Sequence, residues 1–514
     1  MTTDRTSSYL LGDWLSENAD TLSGFDADAP LDDLEPLRDI VGDARVVAVG
    51  EGAHFVREFT QTRKRVLRFL AERCGFTILA FEFGFSEAAA LDRWLQGNGG
   101  DAELATIGGT TNAGVNPQMV RWLRHHNRTS THPLRFAGLD TPMAGGRVRP
   151  AVEPLADYLR EVDPAVVVHL ERVLDIADRF TGNSVAVAAP GWARLDTAEQ
   201  DALTASLTRL LLRMRSLEPL YVSRSDQHSY DLALRHLEAA LHTDYMFKAM
   251  SDLFSGTGLE GDTSVRDRFM AESVRWHLDR AEPGSRIVVA AHNNHIQKSP
   301  VYFDGELAAL PMGYYLDLIL GDDYRALAQT HTAETVAEMH PDERAAGGFT
   351  IAEERLETPG AGSVEAAVID AGYGADISLT GLRRAPREGL ERIRSQSAEL
   401  HMPISEAFDG VLTVPTTTTC FTTDLNAPPP PGPDRAVERS RRSHSAATPA
   451  GRPPRRVSRS ARAAAPWAAR GKPPCRHVDE SVDGRAALRH WAGRRSGHAD
   501  FRTNPRKIGD RGGC

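Results

Sequence analysis

Residues 44–54 read ARVVAVGEGAH: a short apolar run, a glycine, and then two ionisable side chains, Glu51 and His54. The run from Val46 to Val49 does not alternate apolar with polar residues. Such continuity suits a strand covered on both faces, as in a parallel sheet sandwiched between helices. Working outward, three further segments repeat the pattern: 76–82 (FTILAFE), 134–140 (LRFAGLD) and 286–292 (RIVVAAH). Segments with helical spacing separate them. In 55–73, Phe55, Phe59, Val66, Phe69 and Leu70 fall on one stripe, and 86–96 and 117–127 are also read as helices. Strands alternating with helices predict an α/β fold with a central, mainly parallel sheet flanked by helices.

The interval 149–280 carries almost no strand signal and several helical runs, 202–217 and 229–242 among them. It is expected to form a helical subdomain inserted between the third and fourth strands. Residues 408–414 are expected to close the sheet as a final strand. From about residue 415 the character changes, with Pro428–Pro431 followed by Arg/Ser-rich sequence at 439–443 and 452–462. Residues 421–514 hold 20 Lys/Arg against 8 Asp/Glu, leaving 40 against 62 in residues 1–420. Aliphatic residues are too scarce in that last stretch to offset ordering entropy. The expected organisation is therefore a folded body at 1–418 and a disordered basic Pro/Arg/Ser-rich tail at 419–514. Such a tail suits a nucleic-acid or membrane-surface arm; a solvated extension of no defined role is the simpler reading.

The acidic body argues against nucleic acid as its partner and is compatible with drawing in a cationic small molecule. Of the four cysteines (Cys74, Cys420, Cys475 and Cys514) only Cys74 lies in the body, which leaves no disulfide framework and no CxxC metal site there. The first 20 residues lack the basic and apolar regions of a signal peptide. No run approaches the ~18 apolar residues of a membrane span. A reduced, cytoplasmic protein with no membrane partner is expected; its oligomeric state is not legible.

Chemistry gathers where the four strands end. The first runs into Glu51 and His54 (GEGAH), the second into Glu82 (AFEF), the third into Asp140 (GLD), the fourth into His292 and His295 (AHNNH). In open α/β sheets ligands bind beyond the carboxyl ends of the strands, so these groups are expected to converge on one cleft. His54 would lie at or near a helix N-terminus, which disfavours imidazolium and would keep the ring neutral. Glu82, set among apolar residues, must be paired or have a raised pKa; an ion pair with Arg63 or Arg57 is the structural alternative. Asp140 reads more readily as a cap or loop anchor. His125, His126 and His331 have no such context and are expected at the surface, and Cys74 reads as packing.

No GxSxG elbow, GxxxxGK[ST] loop or HExxH occurs. Serine-nucleophile and nucleotide chemistry therefore lack support. What remains is a His oriented by a carboxylate, able to deprotonate water as it attacks an ester carbonyl, with a second His or an Arg facing the developing oxyanion. Glu51, His54, Glu82, His292 and His295 are also plausible ligands for a divalent ion, which leaves a metallohydrolase as an alternative.

The segments GEGAHFVREFTQTRKRVLRFL, FEFGFSEAAALDRWL, GLDTP, RDRFMAESVRWHL, AHNNHIQKSP and PMGYYLDLILGDDY resemble, in order and spacing, those of the erythromycin esterases. The resemblance covers about Arg45 to Val414 and stops before the basic tail. It implies a catalytic domain with a deep cleft, acting on a small-molecule ester without cofactor or resident metal, by opening the macrolactone of erythromycin-like macrolides. By the same resemblance His54 would be the base that activates water and Glu51 would orient it. Glu82 would bind the water or the substrate, Arg63 would line the cleft, and His292 and His295 would stabilise the transition state or touch substrate; Asp140 is kept from its strand-end position alone as a lesser candidate for substrate binding. Relatives that hydrolyse other esters, or that bind a small molecule or haem without catalysis, are the alternatives.

Overall fold

Strand β2 (Val46–Val49) is buried along its whole length, as its unbroken apolar run requires. Its side chains alternate between two cores: Val47 and Val49 pack on one face of the sheet, Val46 and Ala48 on the other. The computed structural model describes residues 12–104, 107, 117–303, 305–342, 345 and 348–420. The sheet comprises eight strands: β1 (Ala19–Leu22), β2, β3 (Ile78–Gly84), β4 (Arg135–Asp140), β5 (Ile287–Ala290), β6 (Tyr324–His331), β7 (Ile377–Gly381) and β8 (Gly410–Val414). Their order is β1-β7-β8-β6-β2-β5-β3-β4. All neighbours from β8 to β4 pair in parallel, and β7 runs against its neighbours β1 and β8. The expected mainly parallel α/β architecture is thus present. The final strand β8 is internal, however, because β7 and β1 extend the sheet beyond it.

Helix α1 (Arg57–Cys74) buries Phe59, Val66, Phe69 and Leu70 on the first face of the sheet and ends at Gly75 in the left-handed conformation. Complete burial of each such side chain contributes roughly 1.5–3 kcal/mol. Helix α2 (Phe85–Leu95) follows β3 and lies against β4. Between β4 and β5 the described chain is helical, chiefly α3 (Arg149–Val162), α4 (Val167–Ala177), α5 (Thr197–Ser216), α6 (Gln227–Ser255) and α7 (Val265–Arg280). These helices share an apolar core of their own, with Leu155, Leu159, Leu207 and Phe247 fully buried. Helices α7 and α8 (Met312–Leu320) cover the second face of the sheet through Met270, Val274, Met312 and Leu316. No helix among the described residues is long and apolar enough to cross a membrane.

Residues 415–420 double back onto the start of α1. Thr419 bridges Val56, and the Cys420 amide donates to the Phe55 carbonyl at 2.7 Å. Thr419 and Cys420, which composition assigns to the tail, therefore pack on the body. The rest of the expected disordered tail, 421–514, lies outside the described residues.

Candidate active site

The carboxyl ends of β2, β3, β4 and β5 are adjacent in the sheet, and the ionisable residues that follow them meet there. After β2 the chain turns through Gly50–Val56 before α1 begins at Arg57, so His54 stands just ahead of the helix rather than within it. His54 Nδ1 is 2.9 Å from Glu51 Oε1. Arg63, reaching back from α1, places Nη1 3.3 Å from Glu51 Oε2 and donates through Nη2 to the Gly50 carbonyl at 3.1 Å. Burial would raise the Glu51 pKa, but the charges of Arg63 and His54 hold it below the ordinary carboxylate value. Burial would lower that of His54; the Glu51 hydrogen bond and the charges of Glu51 and Glu82 outweigh it and raise the pKa above 6.5. The expectation of an imidazole kept neutral by the helix is corrected accordingly, since a carboxylate at contact distance outweighs partial charges beyond Phe55 and Val56. With Nδ1–H given to Glu51, Nε2 is the ring atom left to accept a proton.

Glu82, near the end of β3, is a junction. Its Oε2 accepts the His292 amide at 3.0 Å, and its Oε1 accepts from Arg266 Nη2 at 2.8 Å and lies 3.4 Å from His295 Nε2. The expected partners Arg63 and Arg57 are not used. Arg266, on the first turn of α7, takes the role and grips buried Asp140 as well, at 2.6 Å through Nη2 and 2.9 Å through Nε. Burial works to raise the Glu82 pKa, yet His295 and Arg266 hold it well below the carboxylate range.

The two histidines after β5 have opposite protonation. His292 accepts the Asn294 amide on Nδ1 at 3.1 Å, so its proton sits on Nε2, which is buried with no hydrogen-bond partner among the described residues. Burial pushes its pKa down to about 3, so the ring is neutral. His295 is clamped between Asp267, 2.7 Å from Nδ1, and Glu82. Burial opposes its charge, but Asp267 and Glu82 raise its pKa to about 10, and it is an imidazolium. The rings of His54 and His292 lie 4.9 Å apart, centroid to centroid.

The site thus joins all seven predicted residues, Glu51, His54, Arg63, Glu82, Asp140, His292 and His295. Sequence reasoning missed Arg266 and Asp267. They open the RDRF stretch whose family resemblance was noted, but nothing local separates this Arg-Asp pair from a solvated helix start. His126 and His331, expected at the surface, are buried. His126 packs on Trp122 and its Nε2 meets the His132 carbonyl oxygen; His331 packs against Phe59. As for a divalent ion, no group of three or more His, Cys, Asp or Glu among the described residues is arranged to hold one. His295, with both nitrogens turned to carboxylates, offers no lone pair.

Comparison with known proteins adds four findings. The erythromycin esterase family profile matches residues 71–417. Erythromycin esterase type II of Escherichia coli is 35% identical over 391 residues, covering 74% of this chain and 92% of that protein. Type I, also from Escherichia coli, is 36% identical over 383 residues, covering 74% and 93%. Among solved structures, a histidine mutant of erythromycin esterase EreC in its open conformation is 32% identical, with a TM-score of 0.73. The match spans 79% of this chain and all of that one.

Proposed function

Because this chain belongs to the erythromycin esterase family, we propose that it inactivates an erythromycin-like macrolide by opening the lactone ester with a water activated by His54. The carboxylic-ester-hydrolase class follows from the family, and the roles below are our assignment. One observation carries the reading: the Glu51–His54 pair, with His54 Nε2 left to act as base, faces a neutral His292 whose buried Nε2–H has no hydrogen-bond partner among the described residues.

In the forward step, water attacks the lactone carbonyl carbon and its proton passes to His54 Nε2. Glu51, held by Arg63, stabilises the imidazolium that forms. The carbonyl oxygen becomes an oxyanion, to which His292 Nε2–H is the donor, in a site where a preorganised donor needs little reorganisation. Collapse breaks the ring C–O bond, and the leaving alkoxide takes the proton back from His54. The product is one linear hydroxy acid, the substrate plus one water. Glu82 serves by fixing the His292 backbone and, with Asp267, by maintaining the His295 cation.

The test is mass spectrometry of erythromycin incubated with metal-stripped protein. A product heavier by one water, absent with His54→Ala, is the expected result. Undiminished turnover by a folded His54→Ala variant removes His54 from the mechanism. No product from the parent protein moves the substrate to another ester and makes metal reconstitution the next measurement.

A further inference from the structure

Among the described residues only two non-glycine positions have positive φ, Phe55 at 63° and Gln396 at 53°. Both lie against the segment that carries His54. Gln396 sits in the turn between two short paired strands, Arg392–Ser395 and Ala398–His401. Its side-chain Oε1 accepts the His54 amide at 2.6 Å, and its own amide donates to the Gly52 carbonyl at 2.7 Å. Its Nε2 donates to the Ala337 carbonyl at 3.2 Å, so both ends of this buried amide are hydrogen-bonded. The approach is close enough to exclude a side chain at Gly52, where a Cβ would lie 2.8 Å from the Gln329 carbonyl and 3.2 Å from that of Arg394.

A second hold lies on the other side of His54. The Phe55 carbonyl accepts the Cys420 amide at 2.7 Å, and the Arg57 amide donates to the Thr418 carbonyl at 3.0 Å. Thr418 is itself gripped by Glu58, through its amide and its hydroxyl, both at 2.7 Å. A bulky residue in the left-handed region persists only where its surroundings over-determine it. Here the bonds that do so bracket a single residue, His54, with one hold on its own amide and the other on the carbonyl of the next residue.

We propose that Gln396 and the Thr418–Cys420 strap are positioning residues that clamp the strained Gly52–Val56 loop and so aim the His54 imidazole at the substrate. This rests on the reading of His54 as the base. The charged or titratable groups facing His54 are Glu51 on its own loop, Glu82 from β3, and His292 and His295 beyond β5. Gln396 adds no charge, so its effect is geometric. Misplacement of a catalytic group by about 1 Å can cost about 100-fold in rate.

The experiment compares the full-length parent, Gln396→Met, Gln396→Glu and His54→Ala for kcat and KM on erythromycin across pH. It also follows the His54 ring proton by NMR titration in the parent and the Gln396 variants. Gln396→Met is expected to lower kcat about 10- to 100-fold with KM within about twofold. Gln396→Glu, which keeps the acceptor for the His54 amide, is expected to recover most of that loss at the alkaline plateau. The His54 midpoint in Gln396→Met should move toward 6.5 as its contact with Glu51 loosens. An unchanged kcat in Gln396→Met, or an equal loss in Gln396→Glu, overturns the clamp. Turnover by His54→Ala would instead sink the base assignment, so the two failures are distinguishable. If erythromycin is not turned over at all, an unmoved His54 midpoint overturns the proposal and a lowered one supports it. Should Gln396→Met not fold, Thr418→Val, which removes one bond to Glu58, replaces it under the same kcat criterion.

Discussion

At the scale of single residues, charge pairing sets the chemistry. His54 has its pKa raised by Glu51 and Glu82 against the opposing effect of burial. A base must be neutral to act, so the rate on an ester substrate is expected to fall with acidification through a midpoint above 6.5. A profile flat between pH 6 and 8, with chemistry rate-limiting, would exclude a histidine base. Arg266 is the second residue on which much depends, since it bridges Asp140 and Glu82. Replacing it by leucine leaves buried Asp140 without its cation and Glu82 with His295 alone, and breaking such a buried pair costs about 3–5 kcal/mol. Arg266→Leu is therefore expected to lower Tm markedly and to abolish turnover, checked by thermal melts and product assay. A variant with parental Tm would refute the account of Asp140 and Glu82.

At the scale of elements, legibility followed burial pattern. Strands β2, β3, β4 and β5 were readable because continuous apolar runs fit burial on two faces. Strand β6 was not, although every one of its residues is buried. Arg325, Gln329, Thr330 and His331 interrupt its apolar run, and only the fold supplies partners for them, as when Gln329 Nε2 donates to the Gly50 carbonyl at 2.7 Å. The short strap at 415–420 was likewise unreadable. Its threonines resemble the start of a polar tail, yet Thr417, Thr418 and Cys420 each hydrogen-bond to the body. The folded body therefore extends at least to Cys420. A chain ending at Cys420 is expected to keep its turnover and its Tm within about 2 °C, whereas one ending at Val414 should lose most of its turnover. Equal behaviour of the two truncations in kinetics and melting would show that the strap is dispensable.

At the scale of the whole molecule, buried histidines predict how stability depends on pH. Burial pushes His236 down to about 4, and His292 and His331 down to about 3. Between about pH 6.5 and 4 the unfolded chain binds protons that these rings refuse when folded. Stability is therefore lost as pH falls, by up to ~1.4 kcal/mol per pH unit for each residue. His295 has the opposite sign: its pKa of about 10 means its contribution is fully present below 6.5 and lost as pH rises toward 10. Tm measured from pH 4 to 9 should peak near neutrality and fall more steeply on the acid side. A Tm constant from pH 4 to 7 would contradict the protonation states assigned here.

The identity of strands β2, β3, β4 and β5, the mainly parallel sheet, the helical insertion and the placing of Glu51, His54, Glu82, Asp140, His292 and His295 at the strand ends were determined by sequence alone. Each is a local matter of apolar continuity and of which residue follows the run. Only the tertiary structure decided which charges meet. Arg266 finds Glu82 from 184 positions away, and Gln396 finds the His54 amide from 342. Burial leaves His292 neutral, and Asp267 and Glu82 leave His295 charged, within one short segment, because a histidine's protonation depends on the carboxylates brought to it and on the water taken away.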